Sequence, residues 1–416
     1  MRSLASLTLA LFRRYLAALR MGSRSASPLP ATLGLTALAS FGAGTATLGI
    51  FFVTEEAYRF SPAQQYAFGL LVGLTYTLAA LGASRARRFA ARRGLDARAF
   101  LALLSFGMAA LMCVPLVTSS AAALYAVIAL YSPLTGLFWP LVEGYVSGGR
   151  RGGALRSAIG RFNLTWSSTL VVSFLAVPPL LGVSSARVFA AIVVAHLAST
   201  LFLLGLAREP AEHEDDEAHA VPANYPQLLA VHRVLHAVSY LVMYALTPYL
   251  PELLTSIGVP KLEQGLVAAT WLAVRVVAFF VLERWHGWHG RGSFAVMSIA
   301  ATLLGFALAV LAPQWGDAAR SALIAGLALF GAGLAGLYTA ALYYVFEVGG
   351  SDGGGSHEAL IGLGYSIGPS CGLAVCALEG AGVIGATQRD GVLLAVVSAL
   401  ALGGAWLGWR RRGLPG

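Results

Sequence analysis

The stretches YSPLTGLFWPLVEGYVSGG, residues 131–149, and SAIGRFNLTWSSTL, residues 157–170, decide how this chain is read, because their layout recurs. The second copy reads AGLYTAALYYVFEVGGSDGGGSH, residues 335–357, and runs on as EALIGLGYSIGPSCGL, residues 358–373. Each copy has an aromatic-rich apolar run, a glutamate at its end, a glycine-rich break and a glycine-centred apolar restart. Glu143 and Glu347 are 204 positions apart, and so are Gly160 and Gly364. The letters agree poorly and the layout agrees well. A repeat fixes architecture before any local reading, and two halves of about 200 residues, each with several apolar runs, are the pattern of duplicated membrane transporters.

Working outward, the chain is 57% hydrophobic and 11% charged, where a water-soluble domain carries roughly 25% charged residues. Such a surface faces lipid. Twelve runs are long enough to span a bilayer, which takes about 20 residues. They lie near 30–54, 62–84, 98–117, 121–146, 157–182, 185–207, 231–254, 264–283, 293–312, 319–347, 358–380 and 390–409. The expected fold is therefore all-α and polytopic: twelve transmembrane helices in two pseudo-symmetric six-helix halves. Its parts are an amphipathic N-terminal segment (1–29), a first half (30–207), a linker (208–230), a second half (231–409) and a tail (410–416). In the N-terminal segment Arg2, Arg13, Arg20 and Arg24 share one helical stripe, with Leu4, Leu7 and Leu11 opposite, as in a helix lying in the headgroup layer. A signal peptide would not place Arg13 and Arg14 after so short an apolar core.

The net charge of +9 comes from 27 arginines and Lys261. They sit between apolar runs and not in one patch, which argues against nucleic acid and for topology signals. With the N-terminus inside, 22 basic residues fall inside and five outside (Arg59, Arg187, Lys261, Arg320 and Arg389), leaving Arg275 within a span. This bias predicts both termini in the cytoplasm, in a plasma (inner) membrane. The acidic linker, with His213, Asp215, Asp216 and His219, reads as a solvated connector and not a metal site. Cys113, Cys371 and Cys376 lie in apolar runs and read as free thiols.

An ionisable residue inside a span is a functional candidate by default. Arg275, in WLAVRVVAFF, is the sharpest: its partner is an anionic substrate group, or else a buried carboxylate or backbone carbonyls. Trp271, Tyr131, Asn163, Trp166, Tyr240, Tyr244, Tyr338 and Tyr365 are candidates to line an aromatic pocket for a small molecule, with Phe138 and Ser366 beside them. His196 reads as an interhelical hydrogen-bond partner or a proton carrier. Glu143 and Glu347 read as gate residues pairing with loop arginines such as Arg151 and Arg156, and Glu358 joins this gate and coupling set. Gly364, Gly368 and Gly372 form a ridge of small residues, as do Gly69 and Gly73, and such ridges let helices approach closely.

This layout resembles the major facilitator superfamily over residues 30–409. The resemblance rests on Glu143 with Arg151 or Arg156 between the fourth and fifth spans, on Glu347 at the matching end of the tenth, and on the basic loop Arg85, Arg87, Arg88, Arg92 and Arg93. That loop lacks the family's usual aspartate, and His357 and Glu358 stand where an arginine is expected. The resemblance implies alternating access, with the second and eleventh helices facing each other so that their glycine ridges form one sliding contact. An arginine in the eighth helix resembles some organic-anion carriers. GxxxxGK[ST] and HExxH are absent, so neither ATP-driven transport nor that zinc-dependent hydrolysis is expected. His286 and His289 are too few for a closed metal site. The reading is a monomeric secondary transporter of a small organic solute, with proton coupling and an anionic substrate group as candidate features, and with no cofactor or metal. The alternative is a polytopic membrane enzyme or scaffold acting on a lipid-like substrate.

Overall fold

The computed structural model describes residues 27–150, 152–211, 222–349 and 354–410. The amphipathic N-terminal segment, Arg151 and the acidic core of the linker lie outside the described residues. Among the described residues, twelve helices are long and apolar enough to cross a membrane. They are α1 (Leu29–Glu56), α2 (Pro62–Arg92), α3 (Ala97–Val117), α4 (Ala121–Ser147), α5 (Gly152–Leu181), α6 (Ser185–Leu203), α7 (Tyr225–Leu246), α8 (Lys261–Arg284), α9 (Gly292–Val310), α10 (Ala312–Val348), α11 (Gly355–Gly380) and α12 (Ala386–Arg410). The chain is an integral, multi-pass, all-helical membrane protein. The largest departure from the sequence reading is α7, which begins at Tyr225 inside the expected linker and is followed by a separate turn, Leu250–Ser256.

Local chemistry sets several boundaries. Ser61 and Gln64 close a capping box at the start of α2, satisfying donors that a helix N-terminus leaves free. Asp96, Ser120 and Ser184 cap α3, α4 and α6 by a single bond each, the side chain accepting from the backbone N–H three residues on. Gly94, at φ +78°, supplies the left-handed residue that turns the chain beyond α2. At the end of α4 the Arg150 guanidinium donates to the Tyr145 and Val146 carbonyls and to that of Ser27. Arg87 pairs with Glu209, and Arg98 donates to the Leu206 carbonyl. Part of the basic bias is therefore spent on fastening loops.

Within the first half α1 packs on α5 and α6, and α4 packs on α2 and α3. Within the second, α7 packs on α10, α11 and α12, and α9 and α8 pack on α10. The halves meet along α2 and α11 and along α5 and α8. α1 and α7 are 78% buried over their apolar windows, against 22% for α12, which puts the first two at the centre and the last at the rim. Leu78, Val117 and Leu262 are among the large apolar side chains left outside, as a lipid-facing surface requires.

Candidate functional site

A cavity of about 660 Å³, its mouth included, lies between the halves. The first half contributes Ser40, Gly44 and Thr47 from α1, Tyr76 from α2, Thr135 and Trp139 from α4, and Phe162 and Trp166 from α5. The second contributes Tyr240 from α7, Tyr338 from α10, and Glu358 and Tyr365 from α11. Beside Thr47, α1 widens into a π turn at Thr45–Gly49, a defect often found at functional sites. Towards the arginine-poor face, Tyr244 stacks on Tyr365 with ring centres 3.8 Å apart and donates to the Thr47 carbonyl at 3.1 Å. Tyr66 donates to the Ala245 carbonyl at 3.1 Å. Both hydrogen bonds cross from one half to the other.

Towards the arginine-rich face the cavity ends on acids. The Tyr76 hydroxyl donates to Glu358. The carboxyl of Glu143, on α4, lies within hydrogen-bonding reach of that of Glu358. Both residues are buried, and neither Glu143 oxygen has a donor. Glu143 was expected beside a loop arginine at a wet helix end. Among the described residues it has no ion pair, because it points inward across the seam and meets the acid of the other half. Glu347, its repeat partner, is half-buried at the end of α10, near Tyr343. The two glutamates are equivalent in the sequence layout and differ in environment.

Arg275 is 2% exposed, and no carboxylate of the described residues pairs with it. Its guanidinium carbon stands 4.5 Å from the Trp166 ring centre, 5.2 Å from Tyr338, 5.4 Å from Phe279 and 5.9 Å from Trp271. One N–H reaches the Tyr240 hydroxyl at 3.4 Å, and Nε has no acceptor. Among the described residues it forms no ion pair. A desolvated cation over an aromatic face gains about 2 kcal/mol, and four rings replace much of what a carboxylate would supply. Arg275 is not in the lining of the central cavity, whereas Trp166, Tyr240 and Tyr338, which surround its guanidinium, are.

The remaining candidates divide. Trp166, Tyr240, Tyr338, Tyr365 and Glu358 line the cavity, and Tyr244 covers one end. Tyr131 does not line it, because its hydroxyl pairs with His196 Nε2 at 2.7 Å inside the first half. His196 is thus placed as an interhelical link. Trp271 packs against Phe174 and Phe330. Asn163 lies behind the wall and accepts a hydrogen bond from Trp166 Nε1 at 3.2 Å. Trp139 takes the place expected for its neighbour Phe138. The sequence reading passed over Tyr76 and His236, and noted His357 only as standing where an arginine is expected; the buried rings of His236 and His357 stack 4.3 Å apart with no hydrogen bond at any ring nitrogen. A signal existed: His232, His236, Tyr240 and Tyr244 recur every four residues along one face of α7.

A second, smaller cavity of about 350 Å³ with its opening included lies between α5, α8 and α10 at the arginine-rich face. Arg156, Asn163, Glu283, His289, Thr339 and Tyr343 are in its lining. Burial first, then the Arg156 charge and His286, push His289 down to about 4. Its ring is neutral in neutral solution. Phe279 lines this cavity and Trp166 the central one, so the ring cage of Arg275 is the partition between them. Among the described residues no three His, Cys, Asp or Glu side chains converge as metal ligands.

The expected single contact of two glycine ridges forms only in part: a Cβ on Gly372 would lie 2.1 Å from the Tyr66 ring of α2. Gly364 and Gly368 face α7: a Cβ on Gly368 would come within 2.3 Å of the Leu241 carbonyl oxygen. The other side of α11 receives α2, where a Cβ on Gly73 would lie 2.4 Å from the Tyr365 carbonyl. α11 therefore uses two faces, one for its own half and one for the other.

No family model and no curated protein matches the sequence. Solved structures do match in fold. The human organic anion transporter MFSD10 (TETRAN) aligns at 16% identity over 91% of this chain and 97% of its own, with a TM-score of 0.60. The nucleoside transporter NupG aligns at 13% identity over 93% and 100%, with a TM-score of 0.63. A bacterial homolog of the human lysosomal transporter Spinster, inward-facing and unoccupied, aligns at 17% identity over 94% and 98%, with a TM-score of 0.64. Two six-helix halves around a central cavity, superposable on these transporters over nine-tenths of the chain, give it the fold of the major facilitator superfamily.

Proposed function

We propose that this protein is a secondary transporter that moves a small, planar organic solute across the plasma (inner) membrane by alternating access, coupled to protons. The observation that carries the reading is the meeting of Glu143 and Glu358 across the seam between the halves, at the edge of an aromatic cavity. Two like charges in contact repel by about 4 kcal/mol at an effective dielectric near 20. A proton shared between the carboxyls removes that repulsion and lets the halves close, and its loss drives them apart. The rings of Trp139, Trp166, Tyr240, Tyr338 and Tyr365 offer faces on which a flat solute stacks. The bias of arginines to one face supports both termini in the cytoplasm, and the protein acts as a monomer.

An anionic substrate group has less support than Arg275 alone suggested. A solute in the central cavity meets Glu358 directly and the guanidinium only through rings. MFSD10 is described as an organic anion transporter and NupG as a nucleoside transporter, which fits a flat organic solute better than it fits one charge. The test is uptake of planar organic compounds, anionic, neutral and cationic, into proteoliposomes with and without a pH gradient. Uptake of at least one class that rises roughly tenfold with the gradient, and loses that rise in Glu358→Gln, is the expected result. Transport that ignores the gradient in the wild type would overturn the coupling.

A further inference from the structure

The lower cavity holds an unusual concentration of polar atoms without partners. Arg156 Nε, Asn163 Nδ2, His289 Nε2 and Thr339 Oγ1 are all buried, and each lacks a hydrogen bond. All four residues line this one space. Asn163 is 1% exposed and Thr339 9% exposed, so bulk water does not readily serve them. The Asn163 amide is not ambiguous: its oxygen accepts from Trp166 Nε1, which leaves its NH2 as the free end. Burying a polar group unpaired costs roughly 1–3 kcal/mol, and native structures rarely collect several at one place.

What these atoms have in common is the ability to donate. The guanidinium and the amide NH2 donate only, the hydroxyl donates or accepts, and a neutral imidazole donates when its proton is on Nε2. The acid in the lining, Glu283, lies beside Arg284, with an N–O distance of 3.5 Å. Glu347 stands nearby at the end of α10 but does not line the space. Arg156 is thus the charge least compensated at the site.

We propose that the space between α5, α8 and α10 is a binding site for an oxyanion, a phosphate or carboxylate group, distinct from the central cavity. The anion accepts from Arg156 and Asn163 of one half and from His289 and Thr339 of the other, so it bridges the halves at the arginine-rich face. Two sources carry such a group: a free anion, or the headgroup of an anionic lipid, for which basic pockets between membrane helices are known receptors. The site does not depend on what the central cavity transports.

The test uses the full-length protein in nanodiscs, so its result is separate from any transport assay. In phosphatidylcholine discs, inorganic phosphate is titrated while the unfolding temperature is followed. In a parallel arm, phosphatidylglycerol is added and its retention is read by native mass spectrometry. The variants are Arg156→Gln, Arg156→Lys and Thr339→Val, with exposed Arg161→Gln as the control. Stabilisation by phosphate that weakens at least tenfold in Arg156→Gln, and severalfold in Thr339→Val, assigns the site to a free anion. Retention of phosphatidylglycerol lost in the same variants assigns it to a lipid. Arg156→Lys keeps the charge and loses the planar fork, so it binds at an intermediate level and shows that Arg156→Gln had not merely misfolded. No binding in either arm, or equal loss in Arg161→Gln, overturns the proposal.

Discussion

Along α2 and α11 the two halves touch backbone to backbone, whereas along α5 and α8 they touch largely through rings. At the first seam Gly73 lies against the Tyr365 and Ser366 backbone, Gly362 against Thr77, and Gly69 against Pro369. At the second, Trp166 meets Phe279 and Phe174 meets Trp271, and a glycine contact returns at Gly265, against the Phe174 carbonyl. The charges follow the same division. The close seam adjoins the acids Glu143 and Glu358, and the aromatic seam holds the cation Arg275. Small residues bring helices close enough for main chain to slide past main chain. Bulky rings must turn to let neighbours move. The acid seam is therefore the one where a change in charge acts directly on the spacing of the halves.

The largest effect is expected from Gly73→Ala. The new methyl would sit 2.4 Å from the Tyr365 carbonyl carbon and oxygen, and main chain on both sides leaves nothing flexible to give way. Overpacking of this kind costs about 1–3 kcal/mol. Thermal unfolding in detergent should show the loss, and uptake should fall by more than about tenfold. Gly368→Ala makes a comparable clash with α7, inside one half, so it should lower stability while leaving cross-linking between α2 and α11 unchanged. Wild-type unfolding in Gly73→Ala would mean that the seam is looser than its geometry.

Next come the acids. Glu143→Gln and Glu358→Gln each remove one charge from the facing pair, and an amide can donate to the remaining carboxylate. Stability should hold or rise by about 1 kcal/mol, the usual net value of a hydrogen bond, while the response of uptake to a pH gradient disappears. A gradient response that survives both substitutions would remove the acid seam from coupling and leave the two seams equivalent.

These residues also show where the sequence was legible. Hydropathy and the repeated layout delivered the twelve spans and the two halves, because lipid constrains length and composition strongly. Glycines announced close approach, but not the partner: helical spacing places Gly364, Gly368 and Gly73 on ridges without saying which neighbour each ridge meets. The aromatic lining was partly readable for the same reason, since Tyr131 and Tyr338 look alike in sequence and only packing sends one to His196 and the other to the cavity. Glu143 was misread because its spacing to Arg151 and Arg156 is local, while its contact is with Glu358 in the other half. Arg275 stood out in the sequence as a charge inside a span, and aromatic rings were not considered as its partners.

A third substitution probes the aromatic seam. Arg275→Met keeps much of the length of the side chain and removes the charge. Losing cation–π contacts costs about 0.5–2 kcal/mol, but removing a buried charge with an unpaired Nε offsets it, since apolar replacements of buried ions are often neutral. Stability should therefore stay within about 1 kcal/mol, whereas Arg275→Ala, which also leaves a void, should lose about 2–3 kcal/mol. A large loss in Arg275→Met would show that the charge itself holds the cage together. Equal unfolding of the two variants would show that packing there is already loose.

The smallest effect, and the cleanest control for the comparison, is Gly160→Ala on α5. A methyl there would lie 2.6 Å from Glu283 Cγ and 3.0 Å from its Cδ, a clash on paper nearly as close as that at Gly73. The atoms in the way differ. At Gly73 they are main chain, fixed by two helices. At Gly160 they belong to a glutamate that is 20% exposed and has room to swing towards the face. Alanine also favours a helix over glycine by about 1 kcal/mol, which offsets the movement of Glu283. Unfolding should shift by no more than about 1 kcal/mol in either direction. Moving Glu283 out of the lower cavity also takes a negative charge away from Arg156, so phosphate should bind at least as tightly as before. If Gly160→Ala instead unfolds as readily as Gly73→Ala, both seams are backbone-tight, and the division between a sliding seam and a turning one is lost.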